Sequence, residues 1–227
     1  MGWMQHVQPL ARLVIAARCP LCDRPASKIL CIDCDRQLQR DRLSNPLHRE
    51  SVPIVAWGQY GGTLRQAIAA MKYNHQPELA RLLGIQLAQT WERSPLARRY
   101  PNPVVLPVPM HPQKQAERGF NQAELIAKSF CQYTRLSLQA SGVQRTRNTE
   151  PLFNLSPTAR EAMLDNAFCL GSDFQRRPPK LVLLVDDIYT TGATLRAIHH
   201  LLRQHHIALC GLAVSARAIA PSQHHNE

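Results

Sequence analysis

Apolar residues along this chain fall into two rhythms. In Leu181-Val182-Leu183-Leu184-Val185 five apolar residues, most of them branched, follow one another without a polar break. Such a run predicts a strand buried on both faces, as inside a parallel sheet. Beyond Asp186-Asp187 and the small-residue turn Thr190-Thr191-Gly192-Ala193-Thr194 the spacing changes. Leu195, Ile198, Leu201 and Leu202 then fall on one face of a helix reaching about Gln204. The same alternation runs through the chain. Val52 to Trp57 reads as a strand, Tyr60-Gly61-Gly62 as a turn, and Thr63 as the cap of a helix that buries Leu64, Ala67, Ile68 and Met71 and ends in Met71-Lys72-Tyr73. A second helix is expected from Pro77 to Trp91, then a surface connection from Ser94 to Pro103. Val104 to Pro109 reads as a buried strand stopped by its prolines. Glu117-Arg118-Gly119-Phe120-Asn121-Gln122 opens a helix with Leu125, Ile126 and Phe130 inward, and Ile207 to Val214 gives a last strand. Residues 51–227 therefore predict a doubly wound α/β domain around a parallel sheet.

The run from Leu181 to Thr194 carries chemistry as well as structure. In open α/β sheets ligands bind beyond the carboxyl ends of the strands, which is where Asp186 and Asp187 are expected to emerge. Residues 190–194 are small enough for backbone N–H groups to close around a phosphate, and the next helix adds its positive end. Carboxylates do not suit that phosphate; they suit the hydroxyls of a sugar. Strand, acids, loop and helix together make a cradle for a sugar phosphate. Taken singly, two acids after a strand are a solvated turn or a helix cap, and Thr-Gly is ordinary loop chemistry. Arg118, beside a glycine and just before a helix, is placed to clamp an anion; alone it would read as a surface arginine in a loop.

Cysteine is concentrated near the N-terminus. Cys19-Pro20-Leu21-Cys22 and Cys31-Ile32-Asp33-Cys34 are two Cys-x-x-Cys pairs with eight residues between them. Two such knuckles complete a tetrahedral thiolate shell, so a structural zinc is expected on Cys19, Cys22, Cys31 and Cys34. Disulfides or a redox Cys-x-x-Cys are the alternatives. Residues 1–50 then form a small zinc-ribbon-like module whose folding depends on metal, with a linker at Asn45-Pro46. Cys131, Cys169 and Cys210 stand among apolar neighbours and read as buried thiols.

Charge changes the picture in one respect. The formal net charge is +11 over 227 residues, which points to acidic partners such as phosphorylated small molecules or nucleic acid. The arginines form only small groups, and aromatic residues are too few for a base-stacking platform. No segment approaches the ~18 continuous apolar residues of a membrane span. The apolar run from Leu10 is broken by Arg12 and is too short and charged for a secretory signal. A cytoplasmic protein is expected, without membrane insertion. The histidines at 199, 200, 205, 206, 224 and 225 read as surface groups.

The motif Val185 to Thr194 resembles the binding motif for 5-phosphoribosyl 1-diphosphate (PRPP) of type I phosphoribosyltransferases, with Ala193 where a hydroxyl residue is frequent. The four-cysteine module, Met71-Lys72-Tyr73, Pro107-Val108-Pro109, Arg118-Gly119-Phe120-Asn121-Gln122 and the acidic-pair loop, in that order, resemble the ComF family over nearly the whole chain. The resemblance implies a zinc finger followed by a type I phosphoribosyltransferase domain. It implies that Asp186 and Asp187 hold the ribose hydroxyls as catalytic residues and that Thr190, Thr191, Gly192, Ala193 and Thr194 wrap the 5-phosphate. Lys72 and Arg118 then serve the diphosphate, with Mg²⁺ bound alongside PRPP. It further implies a link to DNA uptake in natural transformation, with single-stranded DNA and a DNA-uptake helicase as partners. Arg145, Arg147, Leu155, Arg160 and Phe168 fit the family pattern, whereas Leu152 and Met163 replace the usual glutamine and asparagine. Transfer of a phosphoribosyl group to an unknown acceptor is the first expectation; a non-catalytic PRPP- or nucleotide-binding accessory of DNA import is the second.

Overall fold

The structure, a computed structural model, describes residues 17–146 and 167–219. The N-terminal apolar run, Arg147, the departures at Leu152 and Met163 with Leu155 and Arg160, and His224 and His225 lie outside the described residues.

The main sheet is built from β1 (Leu47–His48), β2 (Ile54–Gln59), β3 (Val104–Pro107), β6 (Leu181–Tyr189) and β7 (Ala208–Arg217), in the order β1-β2-β7-β6-β3. Four of these strands run parallel, and β1 pairs antiparallel on the β2 edge. The expected doubly wound α/β arrangement is present, because β6 alternates between two cores. Leu183 and Val185 pack with α2 (Gly62–Tyr73), α3 (Glu78–Arg93) and α6 (Gln122–Thr134) on one face. Val182 and Leu184 pack on the other with α8 (Ala193–Gln204) and a two-stranded hairpin of β4 (Val143–Arg145) and β5 (Phe168–Leu170). Burial on both sides is what an unbroken branched run requires.

Several elements differ from the expectation. Strand β6 continues to Tyr189 instead of stopping at Val185, since Asp186, Ile188 and Tyr189 keep their register with Val214, Ala216 and Arg217 of β7. Backbone pairing with a long neighbour outweighs the polar side chains. The second cysteine pair runs into a helix that the sequence pattern does not mark, α1 (Ile32–Arg40), which buries Leu38 completely. The connection after α3 contains α4 (Pro95–Arg99), capped by Ser94, whose Oγ accepts from the Ala97 N–H. A further short helix, α5 (Pro112–Arg118), precedes α6, so Arg118 ends one helix and does not open the next. Cys131 and Cys210 are buried, whereas Cys169 on β5 is only half-buried. A last short helix, α7 (Ser172–Arg176), follows β5.

Thr63 does not cap α2. It lies buried in the first turn, and the cap position is Gly61. Asp41, just past α1, takes the role: its Oδ2 accepts from the Leu64 N–H at 2.7 Å. Gly62, at φ +46°, leaves the space; a Cβ there would stand 2.5 Å from Asp41 Oδ1. The cysteine-bearing segment is tied to the sheet as well. The Gln59 N–H donates to the Asp41 carbonyl at 2.8 Å, the Leu43 N–H to Trp57 and the Ala56 N–H to Pro46. The boundary drawn at residue 50 thus falls after a strand of the main sheet. Asp41→Ala is expected to cost about 1 kcal/mol, seen as a fall of about 3 °C in the thermal midpoint. A midpoint unchanged within error would refute the cap.

Candidate functional site

The parallel strands deliver their carboxyl ends to one rim of the sheet, and every predicted binding residue gathers there. Alternation along β6 separates the two acids. Asp187 turns to the α2 side, where its Oδ2 forms an ion pair with Lys72 Nζ; the two side chains are 6% and 16% exposed. Asp186 turns to the loop side and lines a cavity of about 60 Å³ with Val108, Tyr189, residues 190–194 and Leu195. One water needs about 10–15 Å³ on this measure, so the cavity has room for a small anion.

The loop itself is shaped from below. Gly192 adopts φ +74° and precedes the first residue of α8, and a Cβ on it would lie 2.7 Å from the Tyr189 hydroxyl oxygen. Only glycine satisfies both conditions. Arg196, one turn into α8, donates from Nη1 to the Thr191 carbonyl at 2.9 Å. The preceding turn and the first residues of this twelve-residue helix, where helices carry orphan N–H groups, line the cavity, as helix N-termini do at anion sites.

Cationic groups surround the acids. Burial would lower the Lys72 pKa, but Asp187 first and Asp186 behind it reverse this and hold it above the ordinary lysine value. Burial, and next the neighbouring Asp187 charge, push Asp186 well above the usual carboxyl range. Asp186 also acts on the half-buried Arg145, whose guanidinium lies 5.7 Å over the Phe168 ring. Arg118 Nη1 donates to Gln122 Oε1 at 2.7 Å, and its guanidinium lies 5.4 Å above the exposed Tyr73 ring. Met71-Lys72-Tyr73 and Arg118-Gly119-Phe120-Asn121-Gln122, with 44 residues between them in sequence, therefore meet beside the acidic pair. Asn121 fixes the second of these motifs. Its Oδ1 accepts from the Ala123 N–H as the cap of α6, and its Nδ2 donates to the carbonyl of Val108, which lines the small cavity. A larger cavity of about 370 Å³ opens next to it, between Pro109, Gln115, Asn121, Glu124, Gln144 and Arg145.

The four expected ligand cysteines also converge. All four sulfur atoms lie within 4.8 Å of one another, with Cys22 Sγ and Cys31 Sγ 3.6 Å apart, and none is in a disulfide. A tetrahedron of Zn–S bonds of about 2.3 Å has edges of about 3.8 Å, so the set fits one zinc. The Arg24 guanidinium donates to Cys22 Sγ and holds that thiol down at about 6, toward the thiolate a metal needs. Arg24 also pairs with Asp33 at 2.7 Å, bridging the two knuckles. With four protein ligands the shell is closed, a structural and not a catalytic geometry. Among the described residues no other cluster of metal-ligating side chains occurs. His200 instead contacts Gln204 at 2.9 Å on α8, and His205 and His206 are exposed beyond it.

Sequence reasoning missed Asp41, Arg24 and Arg196, because none of them sits in a pattern with a local signature.

No family model matches the chain. Competence protein F of Haemophilus influenzae is 31% identical to it over 182 residues, covering 77% of this chain and 78% of that one. DNA utilization protein YhgH of Escherichia coli is 30% identical over 186 residues, covering 81% and 77%. Competence protein ComFC of Bacillus subtilis is 27% identical over 185 residues, covering 78% and 68%. Among solved structures, orotate phosphoribosyltransferase from Aeropyrum pernix is 17% identical with a TM-score of 0.37, over 67% of this chain and 64% of that structure, a likeness too loose to bear on function. No helix among the described residues is long and apolar enough to cross a membrane. With identity of 31% spread over more than three quarters of a competence protein, and the four-thiol cluster standing ahead of the acidic-pair loop, the chain belongs to the ComF family.

Proposed function

We propose that the rim of the sheet binds PRPP together with Mg²⁺ and transfers its phosphoribosyl group. One observation carries this reading: Asp186 and the loop 190–194 line an anion-sized cavity at the carboxyl end of the central strand, with glycine required at the turn of that loop. The 5-phosphate fits the loop amides and the start of α8, and Asp186 accepts hydrogen bonds from the ribose hydroxyls. Asp187 supports this from behind by holding Lys72. Lys72, Arg118 and Arg145 supply positive charge where a diphosphate would leave, and the 370 Å³ cavity beside Arg145 offers space for that group or for an acceptor.

Asp186, on the cavity side, suits a divalent cation, since its charge is disfavoured by burial and by Asp187 until a cation approaches. Mg²⁺ bound with the diphosphate supplies neutralisation of the leaving group. The chain's own residues orient the ribose, and catalysis of this kind is mainly positional.

The second reading is binding without turnover, in an accessory of DNA uptake in the cytoplasm. The net charge of +11 favours it, as do the relatives named for competence and DNA utilization. Single-stranded DNA and a DNA-uptake helicase are then the partners. Calorimetric titration of the full chain with PRPP and Mg²⁺, followed by an assay for released diphosphate, separates the two. Binding with release supports transfer; binding without release, joined to salt-sensitive retention of single-stranded DNA, supports the accessory. No heat with PRPP at any magnesium concentration refutes both.

A further inference from the structure

Tyr189 is the last residue of β6, and the phosphate loop begins immediately after it. Its ring is buried, and its hydroxyl donates to Glu50 Oε2 at 2.6 Å across 139 residues of sequence. The other glutamate oxygen, Oε1, lies 3.0 Å from His48 Nε2. His48 belongs to β1, whose pairing with Ile54 of β2 fixes this segment to the sheet. Tyr189 is equally fixed on its backbone side, where its carbonyl accepts from the Ala218 N–H at 2.9 Å. The hydroxyl oxygen stands directly beneath the Gly192 turn, at the 2.7 Å that forbids a Cβ there. Arg196 grips the opposite side of the same loop through the Thr191 carbonyl. Tyr189 lines the cavity, whereas Glu50 and His48 stand outside its lining and reach the loop only through the tyrosine.

We propose that Glu50 is a positioning residue for the loop 190–194: by anchoring the Tyr189 hydroxyl it sets the height of the Gly192 turn and holds the amides in the shape that receives a phosphate. The inference rests on the reading of this loop as a sugar-phosphate cradle. Glu50 would act by geometry and not by charge, since an anion near a phosphate site is electrostatically unhelpful; Arg196 and Arg217 are the cations whose fields reach the Glu50–Tyr189 pair. A geometric role is kept by any acceptor of the same length.

The test uses the full chain with Glu50→Ala, Glu50→Gln and Tyr189→Phe, read by amide hydrogen exchange over residues 189–196 and by titration with ribose 5-phosphate. Glu50→Ala and Tyr189→Phe are expected to speed exchange in the loop and weaken ribose 5-phosphate about tenfold, the effect of one hydrogen bond to a charged group. Glu50→Gln, which still accepts from the tyrosine, is expected to stay within about threefold of the parent on both readouts. Unchanged exchange in Glu50→Ala, or a glutamine variant as impaired as the alanine one, overturns the proposal. If the parent does not bind ribose 5-phosphate while exchange responds as described, the brace stands and the sugar-phosphate reading falls.

Discussion

Asparagine in place of Asp187 is expected to destabilise the chain by about 3 kcal/mol, a fall of about 9 °C in the thermal midpoint, and to abolish PRPP binding. The cause is the pairing with Lys72. Both side chains are nearly buried, so removing the acid strands an ammonium group that has lost its water. The Lys72 pKa is raised in the folded chain, so the pair's contribution is fully present below the ordinary lysine value and is lost only as pH rises through the folded one. Measurements at neutral pH therefore see all of it. Asp186→Asn is expected to move stability the other way while also weakening PRPP about tenfold or more. The folded pKa of Asp186 is raised, so the folded state is penalised as pH climbs above about 4 and through the folded value. A neutral asparagine removes that penalty and with it a ribose acceptor. Opposite signs on stability with the same sign on affinity are the signature of this site. If either variant binds PRPP like the parent, that acid has no part in holding the sugar phosphate.

The second large effect concerns the metal. Native mass spectrometry is expected to find one zinc per chain, and Cys31→Ser or strong chelation to remove it and lower the thermal midpoint by about 10 °C. The loss should spread beyond the knuckles. Cys19, Cys31 and Cys34 share a core with Leu38, Trp57, Leu64 and Met71, so loosening the cluster opens the same apolar volume that seats α2. Asp41 would lose its hold on the start of α2, and faster hydrogen exchange at residues 62–65 should report it. A metal-free chain with unchanged midpoint and unchanged exchange would show that the four sulfurs need no ion.

Much of this molecule could be read from its sequence where local pattern and tertiary demand coincide. Leu181 to Val185 reads as a central strand, because a short, largely branched run followed at once by acids and a turn suits a strand buried on both faces. Leu64, Ala67, Ile68 and Met71 could only be one buried helix face. The two Cys-x-x-Cys pairs left little choice in how their sulfurs would meet. The divergence of Asp186 and Asp187 was less visible, since it follows from β6 continuing four residues further under the pull of β7. Helix α1 was hidden by its polarity: Leu38 is its single wholly apolar anchor, and the rest of its inner face is cysteine. Asp41 and Glu50 were invisible for a different reason. A carboxylate in a polar stretch has no signature until the fold delivers the amide or hydroxyl that it meets.

The lateral margins of the sheet bear on how anything larger could dock. On one side the antiparallel β1 lies along β2, and the N–H of its Leu47 turns back to Asn45 Oδ1. On the other, Val105 of β3 receives the Ser137 carbonyl on its amide and the Gln139 amide on its carbonyl, while Pro107 offers no amide at all. Among the described residues, neither border of the main sheet presents a long free row of peptide groups for a foreign strand to zip onto. At these two margins a macromolecular companion would meet side chains and loop tips, so recognition there should respond to point changes in charge and be indifferent to the strand-forming tendency of whatever peptide it presents.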